Sequence, residues 1–211
     1  MRRHIFGIGL MLAAALSLVA QQRPLLTDDV DITRPGSLEL GVGVDFFQNA
    51  KFPLSGINGD LTRVADIRVR TGFSSNVEIQ MEGSIQNYVS INSRTVPAIP
   101  LNLDGNSTND FDDFTVSAKI KVRNETKFIP ALGFKFGFQM PNTDQARGIG
   151  TNQINVFSKI LLQKKFGSVV AGTARFNTYG NIGLQIMTAP LERFTQNDVL
   201  LYGLAGIYRL T

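Results

Sequence analysis

The residues best able to do chemistry are charged side chains that recur two or four positions apart along short stretches of the chain. They are Asp66, Arg68, Arg70, Glu78, Glu82, Lys119, Lys121 and Arg123. Because successive side chains of a β-strand point to opposite faces, each set lies on one face of its strand. Charges gathered on one face can form a ladder of ion pairs or a constriction that selects solutes. The pattern therefore indicates binding or selection of charge.

The chain lacks the residue types that most nucleophilic and metal sites require. It contains no cysteine, and its single histidine is His4, which we expect to be removed with an N-terminal signal peptide. A chain without histidine or cysteine cannot form a Ser-His or Cys-His pair or a His-ligated zinc site. Residues 103–113 are rich in oxygen ligands but lack the terminal Glu of a calcium loop, so we expect a solvated loop there. We expect no enzyme, metal or cofactor.

The balance of charges argues against a nucleic-acid partner. The formal net charge is +4, from 21 basic and 17 acidic residues. Without Arg2 and Arg3, 19 basic residues face 17 acidic ones, which leaves +2. A nucleic-acid-binding domain usually has a stronger basic excess.

The first 20 residues have the pattern of a secretory signal peptide. Residues 1–4 are basic, residues 5–19 form an apolar run without charge, and Ala20 is a small residue suited to cleavage. The run is shorter than the roughly 20 residues that a spanning helix prefers, and an uncleaved anchor is the alternative. We assign residues 1–20 to a signal peptide helix, 21–36 to a periplasmic N-terminal segment and 37–211 to one β-domain.

Strict alternation of apolar and polar residues predicts an all-β domain. From Phe114 to Val122, apolar residues occupy every second position, with Lys119 and Lys121 on the opposite face. Beyond residue 20 no other apolar run is long enough for a membrane helix, so the domain is soluble or enters a membrane as a barrel. We predict eight strands, at 37–47, 61–72, 76–91, 112–124, 130–140, 152–164, 168–178 and 198–210.

The lengths of these strands and loops favour a membrane barrel over a soluble sandwich. Most of the strands reach the roughly 9–11 residues that a spanning strand needs. The predicted loops alternate: 48–60, 92–111, 141–151 and 179–197 are long, whereas 73–75, 125–129 and 165–167 are short. Short periplasmic turns and long extracellular loops are typical of outer-membrane proteins. We expect an up-and-down antiparallel transmembrane β-barrel of about eight strands, or part of a larger barrel.

Neighbouring strands should bring the charged faces together. Arg68 and Arg70 should stand beside Glu78, Gln80 or Glu82 across the turn at 73–75. Glu78 and Glu82 should in turn neighbour Lys119 and Lys121 on the next strand. All eight charged residues are expected to face the barrel lumen, either as a ladder that fills it or as a selective constriction.

The start of the mature chain resembles a known family of barrels. Residues 23–29 read Arg-Pro-Leu-Leu-Thr-Asp-Asp, residues 35–40 read Pro-Gly-Ser-Leu-Glu-Leu, and residues 148–151 read Gly-Ile-Gly-Thr. These stretches are similar to the outer-membrane β-barrel family named for the MetA pathway of phenol degradation. The resemblance implies an outer-membrane barrel and a pore for hydrophobic or aromatic compounds. It supplies no catalytic residues, and members of the family are usually longer, with more strands.

Four functions are compatible with a secreted β-domain. The leading hypothesis is a passive outer-membrane channel or transporter component, and the second is a non-conducting structural or ligand-binding barrel. The absence of histidine argues against a membrane protease or lipase. A soluble sandwich or lipocalin-like binder would place its apolar face inward, and extraction without detergent would identify it. The expected partners are outer-membrane lipid and lipopolysaccharide, the barrel-assembly machinery and a small-molecule solute.

Overall fold

Nine antiparallel strands and one short helix form the part of the chain that the computed structural model describes, which is residues 27–170, 173–188 and 198–208. The strands are β1 (Leu38–Phe52), β2 (Ile57–Ser74), β3 (Val77–Arg94), β4 (Ser107–Asp110), β5 (Phe114–Arg123), β6 (Ala131–Met140), β7 (Asn155–Val170), β8 (Thr173–Met187) and β9 (Asp198–Tyr208). A 3₁₀ helix, Gln145–Arg147, lies between β6 and β7. Within these ranges no helix is long and apolar enough to cross a membrane.

Eight of the strands form one sheet that curls into a half-barrel. Their order is β1-β2-β3-β5-β6-β7-β8-β9, so neighbours along this path are also neighbours in the sheet, and β4 adds to β3 beside it. Each pair is antiparallel. The prediction of an all-β, up-and-down antiparallel sheet is confirmed. The predicted signal peptide at 1–20 lies outside the described residues.

Several predicted loops are wrong in part because strand pairing continues into them. Strand β7 runs through the predicted turn at 165–167 to Val170, and β4 lies inside the predicted loop at 92–111. At 48–60 the hairpin of β1 and β2 pairs as far as Phe52 and Ile57, and it leaves only four residues for the turn. At 179–197 strand β8 continues to Met187, which pairs with Asn155 of β7. The first hairpin extends because Ile57 and Leu61 are buried in an apolar cluster at its end, where they pack with Val89. Burial of these side chains stabilises strands that sequence periodicity alone does not reveal.

The two faces of the sheet differ in polarity and in exposure. On the convex face large apolar side chains are open, among them Phe136, which is 45 % exposed, and Leu204, which is 86 % exposed. On the concave face charged side chains are buried, and Glu78 and Lys119 are only 1 % and 2 % exposed. Lysine and glutamate are rarely this buried unless they are paired. The stability of the fold therefore depends on ion pairs between side chains on the concave face.

The loops at one end of the sheet are folded onto each other by buried carboxylates. Asp113 accepts hydrogen bonds from the backbone N–H groups of Asn142 (2.8 Å) and Thr143 (3.1 Å). Asp110 accepts one from the N–H of Asp144 (2.6 Å). Both aspartates are buried, so the expectation of a solvated loop at 103–113 is wrong for them. In the described part of the chain, no cluster of three or more His, Cys, Asp or Glu side chains could hold a metal ion.

Candidate functional site

A short stretch of extended chain, residues 27–34, lies across the concave face of the sheet, and we name it the crossing segment. Its Val30 is completely buried in an apolar cluster with Ala131 of β6 and Leu161 of β7. The N–H of Val30 donates to Oε1 of Gln163 (2.8 Å), and the N–H of Thr33 donates to Oε2 of Glu78 (2.6 Å). The crossing segment therefore reaches from β3 to β7.

A glycine in β2 makes room for the chain where it passes from the crossing segment, on the concave face, into β1. Gly36 donates its N–H to the carbonyl oxygen of Gly72 (2.8 Å), and Gly72 donates its own N–H to that of Ser37 (3.2 Å). A Cβ atom at Gly72 would overlap the carbonyl oxygens of Thr33 and Arg34. Because these are backbone atoms, a side chain here would displace the root of the crossing segment.

The first two aspartates of the crossing segment neutralise lysines on three successive strands. Asp28 lies between two of them, with Oδ1 at 3.0 Å from Nζ of Lys135 and Oδ2 at 3.2 Å from Nζ of Lys159. Asp29 lies 2.9 Å from Nζ of Lys119. Burial raises the pKa of the Asp28 carboxyl, but the ammonium groups of Lys135 and Lys159 outweigh burial and hold that pKa at about 2. Asp28 is therefore ionised at neutral pH.

The third aspartate, Asp31, binds side chains nearer the C-terminal ends of β5 and β7. Its carboxylate accepts a hydrogen bond from Nε2 of Gln163 (2.9 Å) and lies within 3.4 Å of Nζ of Lys121 and 3.3 Å of Nζ of Lys165. Burial raises the pKa of Asp31, but these three groups lower it further than burial raises it. Asp31 also lines a cleft of about 270 Å³. The other residues that line this cleft are Lys121, Asn124, Glu125, Ala131, Gln163 and Lys165.

The charged residues of β2 lie apart from this arrangement. Arg68 forms an ion pair with Asp66 on its own strand and lies 3.8 Å from Asp45 of β1. Across the β2–β3 hairpin Arg68 stands opposite Glu82, as the sequence predicts. Arg70 stands opposite Gln80, also a predicted neighbour.

Three further residues were singled out by their spacing. Glu78 and Glu82 face β5, and Arg123 lies at the end of β5. Glu78 stands opposite Lys119, as predicted, with 3.3 Å between Oε1 and Nζ. Glu82 stands opposite Thr115 instead of a lysine, so that predicted neighbour is wrong. In an antiparallel pair the partners run in opposite directions, so a step of four residues along β3 from Glu78 to Glu82 leads from Lys119 back to Thr115 on β5. Arg123 is exposed at the end of β5, where it donates to the carbonyl oxygen of Pro130 (3.4 Å).

Reasoning from strand periodicity missed the three aspartates of the site, and it did not select the lysines of β6 and β7. Asp28, Asp29 and Asp31 lie in an irregular stretch, where no period predicts which way a side chain points. Their signal was the Thr-Asp-Asp stretch itself, which the sequence alone connects only with a family resemblance. Three acids ahead of the first strand form ion pairs with five lysines on β5, β6 and β7.

Docking of the crossing segment should weaken in acid. The docked Asp28 has a pKa of about 2, below the value of about 3.9 for a free aspartate, so its contribution is fully present above about pH 4 and is lost as the pH falls toward 2. The shift corresponds to about 2–3 kcal/mol of docking free energy. A spin label on Thr27→Cys, unique because the chain contains no cysteine, should become mobile over this window.

The matched variant for this titration is Asp28→Asn. It should be mobile already at neutral pH and should show a flatter profile, since the titrating carboxyl is gone. A label whose mobility stays constant between about pH 5 and pH 2 would contradict the assignment to Asp28.

Comparison of the chain with protein-family models, with curated proteins and with solved structures found no match.

Proposed function

We propose that this protein is an outer-membrane β-barrel that passes small organic solutes, hydrophobic and aromatic compounds included, as a passive channel or transporter component. The observation that carries the proposal is the inverted polarity of the sheet, with open apolar side chains outside and buried charges inside. In a bilayer the convex side chains would contact lipid, and the concave face would line the interior.

Strand length supports a location in the membrane. The eight strands of the main path contain 10 to 18 residues, which meets or exceeds the roughly 9–11 that a tilted spanning strand requires. Strands in soluble proteins have a mode of about 5–6 residues. The shorter β5 and β6 set the height of the spanning band, and the extensions of β1, β2 and β3 would stand clear of the bilayer.

The crossing segment supports solute passage. In a narrow closed barrel, inward side chains fill the interior themselves. Here part of that volume holds a segment of chain that is joined to the sheet by ion pairs and hydrogen bonds. If the segment moves, the space that it vacates can admit a small molecule.

A non-conducting barrel is the second candidate, and one observation favours it. Val30 is completely buried against Ala131 and Leu161, so at this point the crossing segment packs as a core does. Conductance in planar bilayers separates the two functions. Steps of conductance that depend on the folded protein support the channel, whereas a protein that inserts without conducting supports the sealed barrel.

The membrane location has its own test in a substitution on the convex face. Phe136→Lys places a cation where we propose lipid contact, which costs about 2–4 kcal/mol near the bilayer midplane. The matched control is Val96→Lys, on an exposed loop beyond β3. We expect Phe136→Lys to reduce insertion into vesicles and to abolish the heat-modifiable gel band, with Val96→Lys unchanged. Equal behaviour of both variants, or release of the parent protein without detergent, would overturn the proposal.

A further inference from the structure

Three lysines form a row across the concave face on adjacent strands. In the register of the sheet Lys119 of β5 stands opposite Lys135 of β6, and Lys135 stands opposite Lys159 of β7. Like charges directly opposite one another destabilise a sheet. The only acid of the sheet that joins this row among the described residues is Glu78, opposite Lys119. An anion bound over the row therefore offsets the repulsion between its lysines.

The crossing segment supplies that anion in a form that a solute could replace. Asp28 offers one oxygen to Lys135 and the other to Lys159, so a single carboxylate bridges two ammonium groups. A bridged carboxylate makes two charge-assisted hydrogen bonds. Neither contact uses the backbone of the crossing segment, so a free carboxylate could make both of them.

The surroundings of the row would accept an apolar body attached to such a carboxylate. On β6, Gly133 and Gly137 flank Lys135 on the same face, and Val30 of the crossing segment packs over Gly133, where a Cβ would fall 3.2 Å from its Cγ1. Departure of Val30 together with Asp28 would open an apolar space beside Lys135. The ring of Phe157 lies over Gly137, close enough that a Cβ there would fall 2.9 Å from its Cζ. The Nζ of Lys159 lies 5.4 Å from the centre of the same ring. The ring of Phe157 thus lies next to the row of lysines.

We propose that the row of Lys119, Lys135 and Lys159 is a binding site for small carboxylate solutes with an apolar body, in which Asp28 of the crossing segment takes the solute's place. This inference rests on the proposed function, because it names the solute class that the barrel would pass. Entry of a carboxylate displaces Asp28 and frees the crossing segment, and departure of the solute lets the segment return.

Binding is tested with benzoate as the probe and benzamide as its uncharged counterpart. Benzoate should bind the detergent-solubilised full chain in saturation-transfer NMR, and several-fold more tightly in Asp28→Asn, where the competing carboxylate is gone. Adding Lys135→Gln and Lys159→Gln to that variant should remove the binding. Asp104→Asn, in an exposed loop, is the control for the loss of an acid. Equal binding of benzoate and benzamide, or no gain in Asp28→Asn, would overturn the proposal.

Bilayer recordings separate this inference from the proposed function. A channel that prefers benzoate over potassium, with the preference lost in the lysine variants, supports both. Conductance without a preference for carboxylates overturns the lysine site and leaves the channel. Benzoate binding without conductance overturns the channel and leaves the site, as a ligand-binding barrel. The heat-modifiable band of each variant verifies that it is folded.

Discussion

Substitution of Lys119 by methionine is expected to lower the free energy of unfolding by about 3–5 kcal/mol, because it leaves the buried carboxylate of Glu78 without its cation. Both side chains are almost completely buried, and Nζ lies 3.3 Å from Oε1. Water cannot replace the lost ammonium group at such a position. The measurement is urea unfolding in lipid vesicles, followed by far-ultraviolet circular dichroism.

The control for this substitution lies two residues along the same strand. Lys121→Met removes the same charge from the same face, but Lys121 and its partner Asp31 are partly exposed, and Asp31 keeps Lys165 and Gln163. We expect a loss of about 0–1 kcal/mol. The double variant Glu78→Gln/Lys119→Met should recover much of the stability, since no buried charge is then left alone. Equal losses at both lysines would show that burial of the Glu78 pair is unimportant.

Substitution of Asp28 by lysine should release the crossing segment from the sheet. The change removes two charge-assisted hydrogen bonds and brings a third ammonium group against Lys135 and Lys159. Loss of such bonds costs at least about 3 kcal/mol together, which lowers the docked population more than about 100-fold. Hydrogen exchange at the amides of Val30 and Thr33, which the structure shows bonded to the sheet, reports this population.

The same change of charge elsewhere in the chain should not release the crossing segment. Asp104→Lys makes the same substitution in an exposed loop, and the two amides should stay protected in that variant. Protection that persists in Asp28→Lys would mean that the burial of Val30, and not the ion pairs, holds the crossing segment in place.

Much of the fold was predictable because its strands have one polar and one apolar face. The run from Phe114 to Val122 shows this period, and β5 covers it. The extension of β1 and β2 was not predictable, because it depends on the packing of Ile57 against residues far along the chain. Local alternation records which face of a strand is apolar, but it does not record how far a hairpin extends beyond the sheet.

The candidate site was predictable only in the part that β3 and β5 contribute. Lys119 was found because its spacing places it on the polar face of a strand, and Glu78 was found opposite it by register. The opposition of Lys135 and Lys159 was not recognised, because like charges rarely face each other in a sheet. Asp28, which neutralises these two lysines, lies in a stretch without alternation of polar and apolar residues. Only the three-dimensional structure connects it to the lysines.

The ion pairs of the crossing segment join parts of the chain that are far apart in sequence and are therefore synthesised at different times. Asp28 and Lys159 are 131 positions apart, and Asp31 and Lys165 are 134 apart. Contacts of such long range close late, after the loops between them have lost their entropy. The segment that leads the described chain is therefore among the last to find its place. Its docking reports that β5, β6 and β7 have assembled in register, and a sheet misaligned by one residue would offer Asp28 no lysines.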